Sequence, residues 1–129
     1  MPNKSIVPDT IAKPGSRYSH GIEVAPNARW VYVSGQVGWS PDGRIEEGIE
    51  AQTRRAFQNV LAVLAEAGMG AEDIVRLNSY LTDAADVPRF RAGRDAVMGD
   101  AMPASTLVVV DALIHPDLKV EVEAVAAKA

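Results

Sequence analysis

Three features are absent or scarce in this 129-residue sequence, and each absence excludes a class of function. There is no cysteine, which excludes disulfides, thiolate metal ligands and thiol nucleophiles. The two histidines, His20 and His115, lie far apart with no metal-ligand spacing, so the sequence predicts no metal site. No apolar stretch is long enough for a bilayer, and Met1–Ser5 lacks the apolar segment of a signal peptide. These absences predict a cytoplasmic protein with no membrane partner.

The charge balance is mildly acidic. Thirteen basic side chains stand against 17 acidic ones, which gives a formal net charge of −4. Nucleic-acid binding is driven by basic side chains that release counterions from the phosphate backbone, so we expect no nucleic-acid partner. The length fits one domain, residues 1–129, with one buried core.

The first half of the chain predicts two strands followed by a helix. β-Forming residues at Ile22–Val24 and Trp30–Val33 flank a turn-like segment and predict a hairpin. The second strand of that hairpin would stop at Ser34-Gly35-Gln36. Apolar residues then recur at helical spacing, which predicts a helix that ends before Gly68. Its buried stripe would consist of Ile49, Thr53, Ala56, Phe57, Val60, Leu61 and Leu64.

The second half predicts a strand, a second helix and two further strands. Ile74–Leu81 alternates as a strand does. Asp86 is a candidate cap for a helix from Val87 to Met98, in which Gly93 weakens the helical preference. This helix would turn Val87, Phe90 and Val97 inward and Arg89, Arg91 and Arg94 towards solvent. The final strands would be Thr106–Val110 and Lys119–Ala126.

The predicted order ββαβαββ indicates an α+β fold, with a β-sheet of about six strands and two helices packed on one face. Leu107–Val110 is apolar at every position, so this segment requires cover on both faces of the sheet. Helices can cover only one of them. We therefore expect a partner subunit to cover the other face, with the closed symmetry that most oligomers adopt.

Seven short segments form an ordered set along the chain. They are Arg17-Tyr18-Ser19-His20-Gly21, Ser34-Gly35-Gln36, Gln52 with Asn59-Val60, Ala67-Gly68, Asp73-Ile74-Val75, Pro103-Ala104-Ser105-Thr106 and Val120–Ala126. This set resembles the Rid/YjgF family, the reactive-intermediate deaminases. The resemblance implies a chorismate-mutase-like homotrimer that binds a small molecule in clefts between subunits. For active members it implies hydrolysis of 2-imino or enamine acids to 2-keto acids and ammonia, without a cofactor.

Ser105 departs from the family pattern, because active members carry an arginine directly after the Pro-Ala pair. The arginine fork can hold a substrate carboxylate through two charge-assisted hydrogen bonds, whereas serine offers one neutral bond. With serine in place of arginine, the interaction that positions the substrate carboxylate would be weaker by on the order of 2–3 kcal/mol. Arg17, Arg91 and Arg94 are the candidates to replace that charge. Without such a replacement we expect poor deamination of 2-aminoacrylate and a non-standard substrate.

The resemblance also implies roles for individual residues. Glu121 matches the family glutamate that holds the attacking water, although strand alternation alone would place Glu121 and Glu123 on one solvated face. Tyr18 matches a residue that lines the cleft, or it is a half-buried boundary tyrosine. Ser34 and Gly35 would present backbone N–H groups to a ligand if Gly35 adopts a conformation closed to other residues, or they form a bulge that ends the strand.

Two hypotheses from different classes remain. The first is a hydrolase of imines or enamines, in which Glu121 holds water, Ser105 and Tyr18 contact the substrate, and the Ser34-Gly35 backbone anchors it. The second is a non-catalytic trimer that binds a small molecule in the same clefts. An endoribonuclease activity, which the family name has also carried, is disfavoured by the acidic charge and the lack of paired histidines.

Overall fold

The structure, a computed structural model, describes residues 2–129, in which six strands and two α-helices follow the order βββαβαββ. The elements are β1 Lys4–Ile6, β2 Gly21–Glu23, β3 Arg29–Val37, α1 Ile49–Glu66, β4 Ile74–Leu81, α2 Val87–Met98, β5 Ala104–Val109 and β6 Val120–Lys128. None of the helices in this described part is long and apolar enough to cross a membrane.

The main sheet has four strands in the order β3-β6-β4-β5. Strand β6 is antiparallel to both of its neighbours, whereas β4 and β5 are parallel. Two parallel strands require a crossover connection, and α2 provides it. The α+β architecture with two helices and a mixed sheet is as predicted, but the strands form two sheets rather than one.

The predicted hairpin between Ile22–Val24 and Trp30–Val33 is wrong. Strand β2 pairs with β1, with Ser5 opposite Ile22, and these two short strands form a separate sheet. Strand β3 pairs instead with β6, with Trp30 opposite Ala127. Both β3 and β6 are nine residues long, so they form a longer ladder of backbone hydrogen bonds than the three-residue β2 could offer.

Helix α1 begins at Ile49, the first residue of the predicted stripe, and buries that stripe in the core. Its buried side chains are Ile49, Gln52, Thr53, Ala56, Phe57, Val60 and Leu64, while Leu61 packs against the core half-buried. The helix ends at Glu66, and Gly68 follows with a φ of 70°, the left-handed conformation that suits glycine after a helix.

Helix α2 has the predicted bounds, but two details of the prediction are wrong. Arg94 is buried, because it lies one helical turn after the buried Phe90 and therefore on the inner face. Asp86 occupies the cap position without a capping hydrogen bond from its side chain. Gly93 has a packing role, since a Cβ there would lie 2.9 Å from the Cβ of Thr53 and 3.0 Å from the carbonyl oxygen of Glu50. The glycine lets the two helices approach closely.

Strand β6 divides its side chains between the two faces of the sheet. Val120, Val122, Ala124 and Ala126 are buried under the helices, whereas Glu121, Glu123 and Val125 alternate with them on the other face. We call this helix-free side the open face. Large apolar side chains remain uncovered there, namely Trp30 (50% exposed), Tyr32 (76%) and Val108 (43%). The open face thus retains apolar surface that a soluble monomer rarely leaves exposed.

Gln52 connects three segments around the start of α1. Its carboxamide is 2% exposed and donates to the carbonyl oxygens of Glu46 (3.1 Å) and Asp117 (2.9 Å), while its oxygen accepts from the N–H of Lys119 (2.8 Å). These bonds fix the loop before α1 and the loop before β6 relative to the helix. A buried carboxamide whose two N–H groups and oxygen all have partners is a strong positional constraint.

We predict that Gln52→Leu lowers the free energy of unfolding by about 2–4 kcal/mol, because a side chain of similar size leaves three backbone groups without partners. Denaturant unfolding measures the change. Ser79→Ala is the matched control, since Ser79 is equally buried but its hydroxyl makes no hydrogen bond within residues 2–129. That control should change stability by less than about 1 kcal/mol. A Gln52→Leu protein as stable as the parent would contradict the proposed constraint.

Candidate active site

Strand β3 carries a bulge at the Ser34-Gly35 position. Its register against β6 shifts between Val33 and Gln36, and the strand continues to Val37. The prediction that the strand stops at Ser34 is therefore wrong, because the bulge absorbs the irregularity without ending the pairing. Gly35 does not have a positive φ, so the reason for glycine here is not a backbone conformation closed to other residues.

The reason for glycine at position 35 is the side chain of Glu121. A Cβ on residue 35 would overlap the Oε2 atom of Glu121 and lie 2.8 Å from its Cδ. Glu121 lies on β6 directly opposite Val37, beside the bulge. The Glu121 carboxylate therefore rests on the bare backbone of Gly35, and the absent side chain provides the space for it.

The two glutamates of β6 differ in their hydrogen bonding. The Glu123 carboxylate accepts from the hydroxyl of Tyr80 (2.6 Å) and from the amide of Asn78 (3.4 Å). That bond to Glu123 is the main cause that raises the pKa of the Tyr80 hydroxyl, followed by partial burial and the nearby carboxylates. Within residues 2–129, the Glu121 carboxylate accepts no hydrogen bond and pairs with no cation, and the neighbouring Tyr80 hydroxyl donates to Glu123 instead. The Glu121 carboxylate is thus free to hold a water molecule or a ligand.

A cavity of about 320 Å³ lies beside Glu121. It is lined by Gly35, Gln36, Val37, Trp39, Asn59, Ile114 and Glu121. Trp39 and Ile114 are 44% and 84% exposed, so both present apolar surface to this hollow from loops. The cavity combines apolar walls with one carboxylate, a combination typical of small-molecule sites.

Asn59 fixes one wall of this cavity. Its side-chain amide donates to the carbonyl oxygens of Val37 (3.2 Å) and Trp39 (3.0 Å) and so attaches the segment after β3 to helix α1. Trp39 is held at the rim as a result. Sequence reasoning does not identify Asn59, Trp39 or Ile114 as site residues. Asn59 belongs to a family motif but has no predicted role, and Trp39 and Ile114 lie in loops without periodicity.

Tyr18 and Ser105 lie at the opposite edge of the sheet. The segment that contains Tyr18 runs beside the start of β5, where the N–H of Ser19 donates to the carbonyl oxygen of Pro103 (3.0 Å). Ser105 is paired in register with Leu77, a core residue, and therefore shares the helix-covered face with it. Next to Tyr18, the His20 ring packs edge-on at 6.1 Å, and its buried Nδ1 atom makes no hydrogen bond within residues 2–129.

One chain does not bring Ser105 and Glu121 together. Ser105 and Glu121 lie on opposite faces of the main sheet. Ser105 is paired with Leu77 and Glu121 with Tyr80, so they are two strands and three residues apart. At ordinary strand spacing their backbones are roughly 14 Å apart. Of the predicted site residues, Gly35 and Glu121 are in contact at one edge of the main sheet with Ser34 next in the chain, whereas Tyr18 and Ser105 lie at the other edge.

Four arginines are candidates to bind a substrate carboxylate, and three of them contact other groups. Arg17 donates to the carbonyl oxygen of Gly99 (2.9 Å) and lies 3.9 Å from Asp95, and Arg94 pairs with Asp95 at 3.0 Å. Arg91 is exposed on α2. Arg76, which the sequence did not suggest, donates to the hydroxyl of Thr106 (2.7 Å) on the open face. None of these residues lines the Glu121 cavity.

Comparisons with known proteins agree on one family. Residues 10–128 match the family model described as Endoribonuclease L-PSP. A RutC family protein from Pyrococcus abyssi is 33% identical over 99% of this chain and 99% of its own. The 2-iminobutanoate/2-iminopropanoate deaminase of Salmonella typhimurium is 30% identical over 86% of this chain and 87% of its own. The crystal structure of a conserved Rid family protein from Yersinia pestis superposes with a TM-score of 0.88 at 31% identity, covering 99% of this chain and 100% of that one.

We predict that Gly35→Ala moves the Glu121 carboxylate while it leaves the fold intact, because the new methyl group meets only the far end of a flexible side chain. A crystal structure of the variant should show a changed Glu121 rotamer. The free energy of unfolding should fall by no more than about 1 kcal/mol.

Gly38→Ala provides the contrast. Its Cβ would lie 2.8 Å from the Cα of Gln52, so helix backbone would have to move, and we expect a loss of about 1–3 kcal/mol. An unmoved Glu121 in Gly35→Ala would show that the glycine is not there for the carboxylate.

Proposed function

The chain belongs to the Endoribonuclease L-PSP family, also known as Rid/YjgF, and on that premise we propose that it hydrolyses small imines or enamines to carbonyl compounds and ammonia. The observation that carries this proposal is the Glu121 carboxylate, which has no partner within residues 2–129, rests on Gly35 and lines a cavity beside Trp39. The similarity to an iminobutanoate/iminopropanoate deaminase supports the same chemistry.

In the proposed reaction, Glu121 acts as the general base. Its carboxylate holds a water molecule and accepts a proton from it as the water oxygen attacks the imine carbon. The electron pair of the C=N bond moves to nitrogen and gives a carbinolamine. This intermediate then loses ammonia and becomes the carbonyl product. Because imines hydrolyse readily in water, positioning of the water and the substrate accounts for most of the required acceleration.

The second half of the site would come from a neighbouring subunit. Tyr18 and Ser105 cannot reach Glu121 within one chain, so we propose a homotrimer in which the β5 edge of one subunit closes the Glu121 cavity of the next. The Ser34-Gly35 backbone would anchor the substrate between them. The reaction requires no metal or cofactor, since the substrate already carries the electrophilic carbon.

The alternative is a trimer that binds a small molecule in the same cleft without catalysis. The observation that favours it is Ser105, together with the engagement of Arg17 and Arg94 by Asp95, which leaves only Arg91 of the three candidate arginines for a substrate carboxylate. Glu121 would then contribute only a hydrogen bond to the ligand.

We predict that Glu121→Gln lowers kcat/KM for imine hydrolysis by about 100-fold or more, because glutamine fits the same space but cannot accept the proton. Ammonia release from imines generated in situ by an amine or amino-acid oxidase measures the rate above the spontaneous background. Glu23→Gln, an exposed change on β2, is the control. If Glu121→Gln retains the full parent rate, or the parent shows no acceleration, the alternative replaces the hydrolase.

We predict a homotrimer in solution, with three times the 13.8 kDa mass of the chain. Light scattering at micromolar concentration tests it. Val108→Asp should shift the mass towards the monomer, because it places a charge on the apolar open face, whereas Val63→Asp on the exposed side of α1 should not. A parent protein that is monomeric at this concentration would remove the shared cleft and with it the proposed site.

A further inference from the structure

The Glu121 cavity contains one negative charge and no positive one. Of the residues that line it, only Glu121 is ionisable. A substrate with its own carboxylate would therefore meet repulsion at the point where hydrolysis must occur. A neutral imine, or its protonated iminium form, would meet attraction instead.

Two of the three candidate arginines contact other groups. Arg17 is held by Gly99 and lies beside Asp95, and Arg94 is buried against the same carboxylate. Moving either guanidinium into a cleft would break its own contacts and leave Asp95 with one cationic neighbour instead of two. Ser105, the residue on the complementary half of the proposed site, is uncharged.

The walls favour an apolar substituent. Trp39 offers an indole surface at the rim, fixed by the bond from Asn59 to its carbonyl oxygen, and Ile114 faces the same hollow. An indole face also attracts a cation, and this attraction strengthens when water is excluded. The cavity of about 320 Å³ accommodates a ring or a branched chain beside the reacting carbon.

We propose that this protein acts on imines that lack a carboxylate and carry an apolar substituent, with the iminium cation held between Glu121 and Trp39. This inference rests on the proposed hydrolase function and names its substrate class. The balanced reaction is R₂C=NH₂⁺ + H₂O → R₂C=O + NH₄⁺: water forms the new C–O bond, its protons move to nitrogen by way of Glu121, and the C–N bond breaks.

The substrate class also indicates the preceding reaction. A carboxylate-free imine arises when an amine, rather than an amino acid, loses two protons, one from nitrogen and one from carbon, and passes two electrons to the oxidant of an amine oxidase or dehydrogenase. We therefore expect an amine-oxidising enzyme to supply the substrate and the released carbonyl compound to be an aldehyde or a ketone.

Two imines that differ only in the carboxylate test the proposal. One is generated from phenethylamine by an amine oxidase and the other from phenylalanine by an amino-acid oxidase, with ammonia release measured above background for the parent trimer. We expect kcat/KM to be at least about tenfold higher for the phenethylamine imine, because it lacks the carboxylate that Glu121 would repel. Equal or faster hydrolysis of the phenylalanine imine would overturn the substrate class but leave the hydrolase function standing. No acceleration of either would overturn both.

Two substitutions add readouts that a structural defect would not imitate. Trp39→Ala should raise KM for the phenethylamine imine several-fold with little change in kcat, and Trp39→Phe should restore much of the loss. Ser105→Arg should raise kcat/KM for the phenylalanine imine roughly 30- to 100-fold, because it supplies the missing partner for a carboxylate. If Trp39→Ala leaves KM unchanged, the iminium is not held at the indole and the proposal fails.

Discussion

The alternation of valine or alanine with polar residues along β6 is the constraint on which the rest of the structure depends. Strand β6 is bonded on both edges, to β3 and to β4, so a shift of its register would disrupt the whole main sheet. The same shift would turn Glu121 and Glu123 into the core and expel Val120 and Val122. One nine-residue strand therefore fixes both the core and the position of the carboxylate.

The two glutamates show how one strand can serve structure and chemistry at adjacent positions. Glu123 is bound by Tyr80 and Asn78 and so belongs to a polar network across the open face. Glu121 has no such partners in the described chain and faces bare backbone at Gly35. Tyr80 of β4 is paired in register with Glu121, but its hydroxyl reaches along β6 to Glu123. On the other side of Glu121, the bulge in β3 presents the bare backbone of Gly35.

Periodicity made the helices and the central strands predictable from the sequence. The stripe from Ile49 to Leu64, the strand Ile74–Leu81 and the bounds of α2 follow from spacing that local physics enforces. The hairpin prediction failed because pairing is a competition between distant segments, and the long β6 outcompetes the short β2 for β3. Arg94 was assigned to solvent on residue type, whereas helical geometry buries it one turn after Phe90.

The site was predictable only in part. Glu121, Gly35 and Ser34 could be named from motifs, and the structure adds the contact that joins Glu121 to Gly35. Trp39 and Ile114 lie in loops, where no repeating pattern announces which residues face a cavity. The separation of Ser105 from Glu121 depends on the order of strands in the sheet. That order is set by pairing between distant segments, which local sequence patterns do not predict.

The position of β6 in the sheet has a consequence for biosynthesis. Strands β3 and β4 are not neighbours, and the strand that joins them is the last of the six to be translated. While a ribosome is still making the preceding residues, β3 and β4 have no partner on their facing edges, and such edges are prone to pair with other chains. Completion of the main sheet, and of every surface built on it, must therefore wait until residues 120–128 have emerged.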